Sequence, residues 1–146
     1  MKGEKRGILV VDDYGHHPTE IAATLQTARE CWPEKRLIVV FQPHRYSRTK
    51  LLYERFVISF NHADRLILAP LYSAGEPPID GVDSGWLYRG IKEHGHKEVV
   101  LCQDQGEILR TLRGTVKSGD VVLTLGAGDI LNVGEQLLRD LDEKEE

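Results

Sequence analysis

The 146-residue sequence predicts a single α/β domain (1–146): a mostly parallel sheet with helices on both faces. Three observations carry this. Five short runs rich in Val, Ile and Leu recur along the chain, at 8–11, 37–41, 66–69, 99–101 and 121–125. They are continuously apolar instead of alternating, as strands covered on both faces are. Longer amphipathic stretches separate them, and parallel strands need such crossovers because no tight turn can join them.

Each element has a local cause. Ile8-Leu9-Val10-Val11 forms the first strand. Pro18 suits the first turn of a helix over 18–32, since its missing N–H would be unpaired there. Ile21, Leu25 and Ala28 then recur at helical spacing. The second strand, 37–41, leads into a helix over 47–62 with Ser47 as its expected N-cap. The third, 66–69, precedes the one long connection, 70–85, rich in Gly and Pro, and a helix over 84–94. After 99–101, Asp104 is placed to cap a helix over 104–116, with Ile108, Leu109 and Leu112 inward. After 121–125, Asp129 is placed to cap a helix over 129–141, with Ile130, Val133, Leu137 and Leu138 inward. The acidic end, 140–146, is expected to fray.

Composition excludes several classes. Hydrophobic residues make up 40% and charged ones 29%, the balance of a soluble globular protein. No run approaches the ~20 apolar residues that cross a bilayer. A net charge of −4 gives no positive field for a nucleic-acid backbone, so neither nucleic acid nor membrane is an expected partner. Cys31 and Cys102 lack metal-type spacing and are read as structural, in a reduced, cytoplasmic setting.

In an open parallel sheet, ligands bind beyond the carboxyl ends of the strands. The unusual residues fall there. Asp12-Asp13-Tyr14-Gly15-His16-His17-Pro18 follows the first strand and Gln42-Pro43-His44-Arg45-Tyr46-Ser47-Arg48-Thr49 the second. Tyr72-Ser73-Ala74-Gly75-Glu76 follows the third strand, and Gly126-Ala127-Gly128-Asp129 the fifth. The opposite edge receives ordinary connectors such as Pro33-Glu34-Lys35. In the first cluster Asp12 or His17 alone suffices to orient a turn, but the whole group exceeds what turn chemistry needs. In the second, Arg45 and Arg48 near a helix start form an expected anion clamp for carboxylate or phosphate, with His44 beside them. Solvated arginines paired with Glu54 are the plainer alternative. A metal site on His16, His17 and His44 is disfavoured because neighbouring histidines diverge, and no resident metal is expected. The glycine turn lacks the third glycine of a dinucleotide fingerprint and suits a tight turn or a close backbone approach to a ligand or a neighbouring domain. No G-x-x-x-x-G-K-[ST] loop occurs, so the chain is not expected to transfer phosphate from ATP by itself.

Together with Thr19-Glu20 and Ile130, these four ordered motifs resemble the C-terminal domain of the Mur ligases over almost the whole chain. Tyr14-Gly15 fits the members that add L-alanine better than those that attach a recycled tripeptide. The resemblance implies a Rossmann-like three-layer sandwich, the third domain of an ATP-dependent, amide-forming ligase of bacterial peptidoglycan biosynthesis. An N-terminal UDP-sugar domain and a central domain with the ATP phosphate loop would be its partners, absent from this chain, and alone it would be inactive. The substrates implied are UDP-N-acetylmuramate, ATP and L-alanine, with Mg2+ held mainly outside this domain. By the same resemblance Asp13 and His16 are the catalytic candidates, and Asp13 would help position the amine or the closed site. Tyr14 and His16 would line the cleft, and His44, Arg45 and Arg48 would bind the alanine carboxylate or phosphate oxygens. Two other readings remain: a stand-alone small-ligand or nucleotide-binding module, and a metal-dependent hydrolase.

Overall fold

The apolar runs pair into one sheet, seen in a computed structural model that describes residues 3–96 and 98–143. In chain order the elements are β1 (Gly3–Lys5), β2 (Ile8–Asp13), α1 (Pro18–Cys31), β3 (Leu37–Phe41), α2 (Tyr46–Leu51), α3 (Tyr53–Val57), β4 (Arg65–Leu68), α4 (Ser84–Glu93), β5 (Val99–Leu101), α5 (Gln105–Thr115), β6 (Val121–Leu125) and α6 (Leu131–Glu143). The strand order is β1-β2-β6-β3-β4-β5, parallel throughout except for β1. Period-two side-chain alternation sends Leu9, Val39, Phe41, Leu66, Leu68 and Leu123 into a core beneath α1, α3 and α4. Val10, Ile38, Val40, Ile67 and Val122 enter a second core beneath α5 and α6. The three-layer α/β sandwich follows.

Four element bounds differ from expectation. The segment before residue 8 is a strand: Arg6 (φ 54°) and Gly7 (φ 76°) make a two-residue left-handed turn that folds β1 back onto β2. The helix expected over 47–62 is two short ones meeting at Leu52 (φ −107°, ψ 14°); the change of direction lets α3 bury Phe56 and Val57. The last helix starts at Leu131, two residues after Asp129, because 126–130 form a turn in which the Asp129 carboxylate is bonded to Gln42 and so does not cap a helix. Its acidic end is not frayed over 140–143. Leu141 is buried, and Asp140 accepts hydrogen bonds from Arg113 (2.5 Å) and Gln136 (2.8 Å). Residues 144–146 lie outside the described residues.

The amino-terminal edge of the sheet is closed by Asp120. Its buried carboxylate accepts bonds from Arg36 Nε (3.1 Å), Arg36 Nη2 (2.7 Å) and the Lys117 N–H (2.8 Å). No helix among the described residues is long and apolar enough to cross a membrane.

Candidate functional site

The loops leaving β2 and β3 run to helices on one face of the sheet, whereas the loop leaving β6 runs to α6 on the other. The carboxyl end of β6 therefore sits between two chain reversals, the crevice position where open α/β sheets hold ligands. The first two clusters and the glycine turn surround it, and Tyr72 of the third reaches it through contacts with His44 and Gly128.

In the first cluster His17, not Ser or Thr, caps α1. Its Nδ1 accepts the Thr19 N–H at 3.2 Å, and Glu20 reaches back to the His17 N–H at 3.1 Å. That backbone bond, first among several causes, holds the Glu20 carboxyl below its usual range. Asp12 and Asp13 point to opposite faces. Asp12 accepts the Thr124 hydroxyl at 2.6 Å, while Asp13 accepts the Gly15 N–H at 2.7 Å and the Thr24 hydroxyl at 3.5 Å. Asp13 thus shapes the turn carrying Tyr14 and His16, and lines a groove of about 310 Å³ with Val11, Thr24 and Cys31. Cys31 is exposed there, against the expectation of a packed structural thiol, because it sits at the outer end of α1. Cys102 is buried, and burial pushes its thiol pKa up.

Tyr14, His16, His44 and Tyr72 form a continuous row of rings, with centroids 5.4, 5.5 and 5.6 Å apart in that order. His16 Nδ1 donates to the Tyr14 carbonyl at 3.1 Å, so in the neutral ring Nε2 is the nitrogen that carries the lone pair. Arg48 Nη1 lies 3.2 Å from His44 Nδ1. A guanidinium only donates, so Nδ1 of His44 is the acceptor and its proton resides on Nε2. Burial lowers the His44 pKa, and neighbouring His16, Arg48 and Arg45 lower it further. His44 is accordingly a neutral donor beside two cations.

Arg45 is exposed and stands as N-cap of α2 with φ 70° and ψ 142°, a conformation that non-glycine residues seldom adopt. Ser47 is not the cap. It lies inside the first turn, where its N–H and hydroxyl both bond to the Glu76 carboxylate. Asp129 does not cap α6 either; its carboxylate accepts Gln42 Nε2 at 2.8 Å, which leaves the buried Gln42 Oε1 without a partner. A Cβ at Gly128 would stand 2.6 Å from that oxygen and 2.8 Å from Tyr72 Cγ, so the turn packs on this chain's own residues. The structure therefore gathers Tyr14, His16, His44 and Arg48, leaves Arg45 exposed beside them, and sets Asp13 behind the turn. The parts played by Gln42 and Glu76 were missed. A polar residue at the end of an all-apolar strand was the available signal for Gln42. Among the described residues no three His, Cys, Asp or Glu side chains lie close enough to hold a metal ion.

The model of the Mur ligase family described as "Mur ligase, glutamate ligase domain" matches residues 1–128. The chain belongs to this family. Within the Mur ligases it is 56% identical over 138 residues to the UDP-N-acetylmuramate–L-alanine ligase of Desulforapulum autotrophicum, covering 94% of this chain and 30% of that protein. The ligase of the same name from Geotalea daltonii is 57% identical over 143 residues, covering 98% and 31%. The crystal structure of UDP-N-acetylmuramate-alanine ligase from Thermotoga maritima superimposes with a TM-score of 0.76 at 27% identity, covering 95% of this chain and 28% of that one. The chain spans about 30% of the length of the relatives it matches.

Proposed function

We propose that the chain is the C-terminal domain of a ligase that uses ATP to join L-alanine to the lactyl carboxyl of UDP-N-acetylmuramate, in the bacterial cytoplasm, and that it is inactive alone. The observation that carries this reading is Arg48 fixing His44 as a neutral donor next to Arg45, at the crevice end of β6. Such a fork suits the carboxylate of a small amino acid. The high identity to relatives named for L-alanine favours that substrate over a recycled tripeptide.

In this reading ATP converts the lactyl carboxyl to an acyl phosphate on the other domains, and the alanine amine attacks it and expels phosphate. The domain's contribution is placement. Holding amine and acyl phosphate in register can supply up to ~7–11 kcal/mol of barrier reduction. His16, which in its neutral form presents the Nε2 lone pair, is placed to take the ammonium proton. The exposed ring of Tyr14 lines the nucleotide side, and Asp13 keeps the turn bearing both in shape. Asp12 and Asp13 each commit an oxygen within the chain, which supports placing the Mg2+ that accompanies ATP on the other domains. Closure of this domain over them would exclude water from the acyl phosphate.

The test is steady-state kinetics of the full-length ligase. Arg45→Ala and Arg48→Ala should each raise the KM for L-alanine by about tenfold or more, the loss of one charge-assisted contact. Wild-type KM values in both variants would remove the clamp. Faster turnover with a tripeptide than with L-alanine would favour the recycling enzyme.

A further inference from the structure

The third polar cluster meets the clamp through the Tyr72 ring, the Tyr72 backbone and the Glu76 carboxylate. Segment 70–76 is fastened to the turn after β3 by two backbone bonds, Arg45 N–H to Tyr72 O (2.7 Å) and Tyr72 N–H to Pro43 O (2.8 Å). Beyond Tyr72, Ala74 (φ 52°) and Gly75 (φ 86°) are both left-handed and bend the chain back, and the Glu76 N–H closes the turn on Ser73 O at 3.0 Å. The turn delivers the Glu76 carboxylate to Ser47: one oxygen accepts the Ser47 N–H at 3.0 Å, the other the Ser47 hydroxyl.

We propose that Glu76 is a positioning residue for the clamp: by gripping Ser47 from the 70–76 segment, it fixes the turn that aims Arg45 and Arg48. The inference rests on the clamp reading above and adds a residue to it. Three features make the grip necessary. Helix α2 has six residues, too few to hold its own geometry through internal hydrogen bonds. Its N-cap, Arg45, makes no side-chain capping bond, so its first-turn donors need an acceptor from elsewhere. And Arg45 is held in a backbone conformation that an unrestrained chain would leave. Ser47 lies between the two arginines, so a carboxylate bound at both its donors restrains both neighbours. Glu76 touches neither the ring row nor the crevice end of β6 in any hydrogen bond described. Besides Ser47 it reaches the Tyr46 N–H and acts on Arg45 and His44 through its charge. Glu76→Gln, which keeps an acceptor but removes the charge, separates the grip on Ser47 from the charge.

Two measurements test this. In the isolated chain, the Ser47 amide should be protected from hydrogen exchange, and Glu76→Ala should abolish that protection. In the full-length ligase, Glu76→Ala should raise the KM for L-alanine about tenfold with kcat within about twofold and the KM values for ATP and UDP-N-acetylmuramate unchanged. Glu76→Gln, which keeps an acceptor for Ser47, should recover most of the loss. If Glu76→Ala does not fold, Ser47→Ala, which deletes only the hydroxyl, should raise the KM by about threefold in its place. Rapid exchange of the wild-type Ser47 amide, or a wild-type KM in Glu76→Ala while Arg45→Ala is impaired, overturns the positioning role alone. A wild-type KM in Arg45→Ala overturns the clamp and this role with it.

Discussion

At the scale of single residues, the protonation of His44 sets the electrical character of the crevice. Arg48 occupies its Nδ1 lone pair, and burial, His16 and the two arginines all oppose a charge on the ring. Its folded pKa is depressed, so on acidification the unfolded chain takes up the proton first. Stability is therefore unaffected well above the ordinary imidazole value of ~6.5 and falls as pH drops through it toward the lower folded value. Urea midpoints measured at pH 7.5 and 5.5 should show this fall, and His44→Gln should remove His44's share of it. An unchanged difference in His44→Gln would assign the pH dependence to other groups. The meeting of the segments that bear Tyr14, His16, His44 and Tyr72 at one edge was legible in the sequence, because parallel strands send the segments that follow them to one edge; the contacts between their rings were not. The left-handed backbone of Arg45 was not, because it depends on Tyr72 and Glu76, which are distant in the chain.

At the scale of elements, the turn after β6 shows what residue types leave open. Gly126 and Gly128 announced a close approach, and the approach is real, but its object is Gln42 and Tyr72 within the chain. Gly128→Ala should cost about 1–3 kcal/mol, since Gln42 and the Tyr72 ring must both move. Gly114→Ala in α5, where a Cβ meets nothing within 4 Å, should stabilise by about 0.4–1 kcal/mol. Denaturant melts of the two variants check the contrast, and equal shifts would refute it. Asp104 was correctly read as a cap because its helix begins at the next residue, where its carboxylate meets the Glu107 N–H at 2.8 Å. Asp129 has the same local pattern, yet a turn separates it from its helix, and Gln42 claims its carboxylate. Likewise the single helix expected over 47–62 breaks at Leu52, where α3 turns to meet the core.

At the scale of the whole molecule, the two edges of the sheet divide the work. The carboxyl edge gathers the rings and arginines, while the amino edge is sealed by Asp120, Arg36 and Lys117. Asp120→Ala would remove the acceptor of Arg36 and of the Lys117 N–H, leaving Arg36 only its bond to Thr115 O, and should cost about 1–3 kcal/mol. At about 2–4 °C per kcal/mol for a chain this long, thermal melting should show it clearly. The KM for L-alanine in the full-length ligase should stay unchanged; a rise would mean the edges are coupled. The placing of β6 between β2 and β3 also bears on how the protein is made. Asp12 and Thr124, bonded across the join, lie 112 residues apart in sequence. On the ribosome, β2 and β3 emerge early and each keeps a bare inner border until the last strand leaves the exit tunnel. A nascent chain stalled before Val121 would carry two open apolar ribbons, a ready target for chaperones and a seed for aggregates.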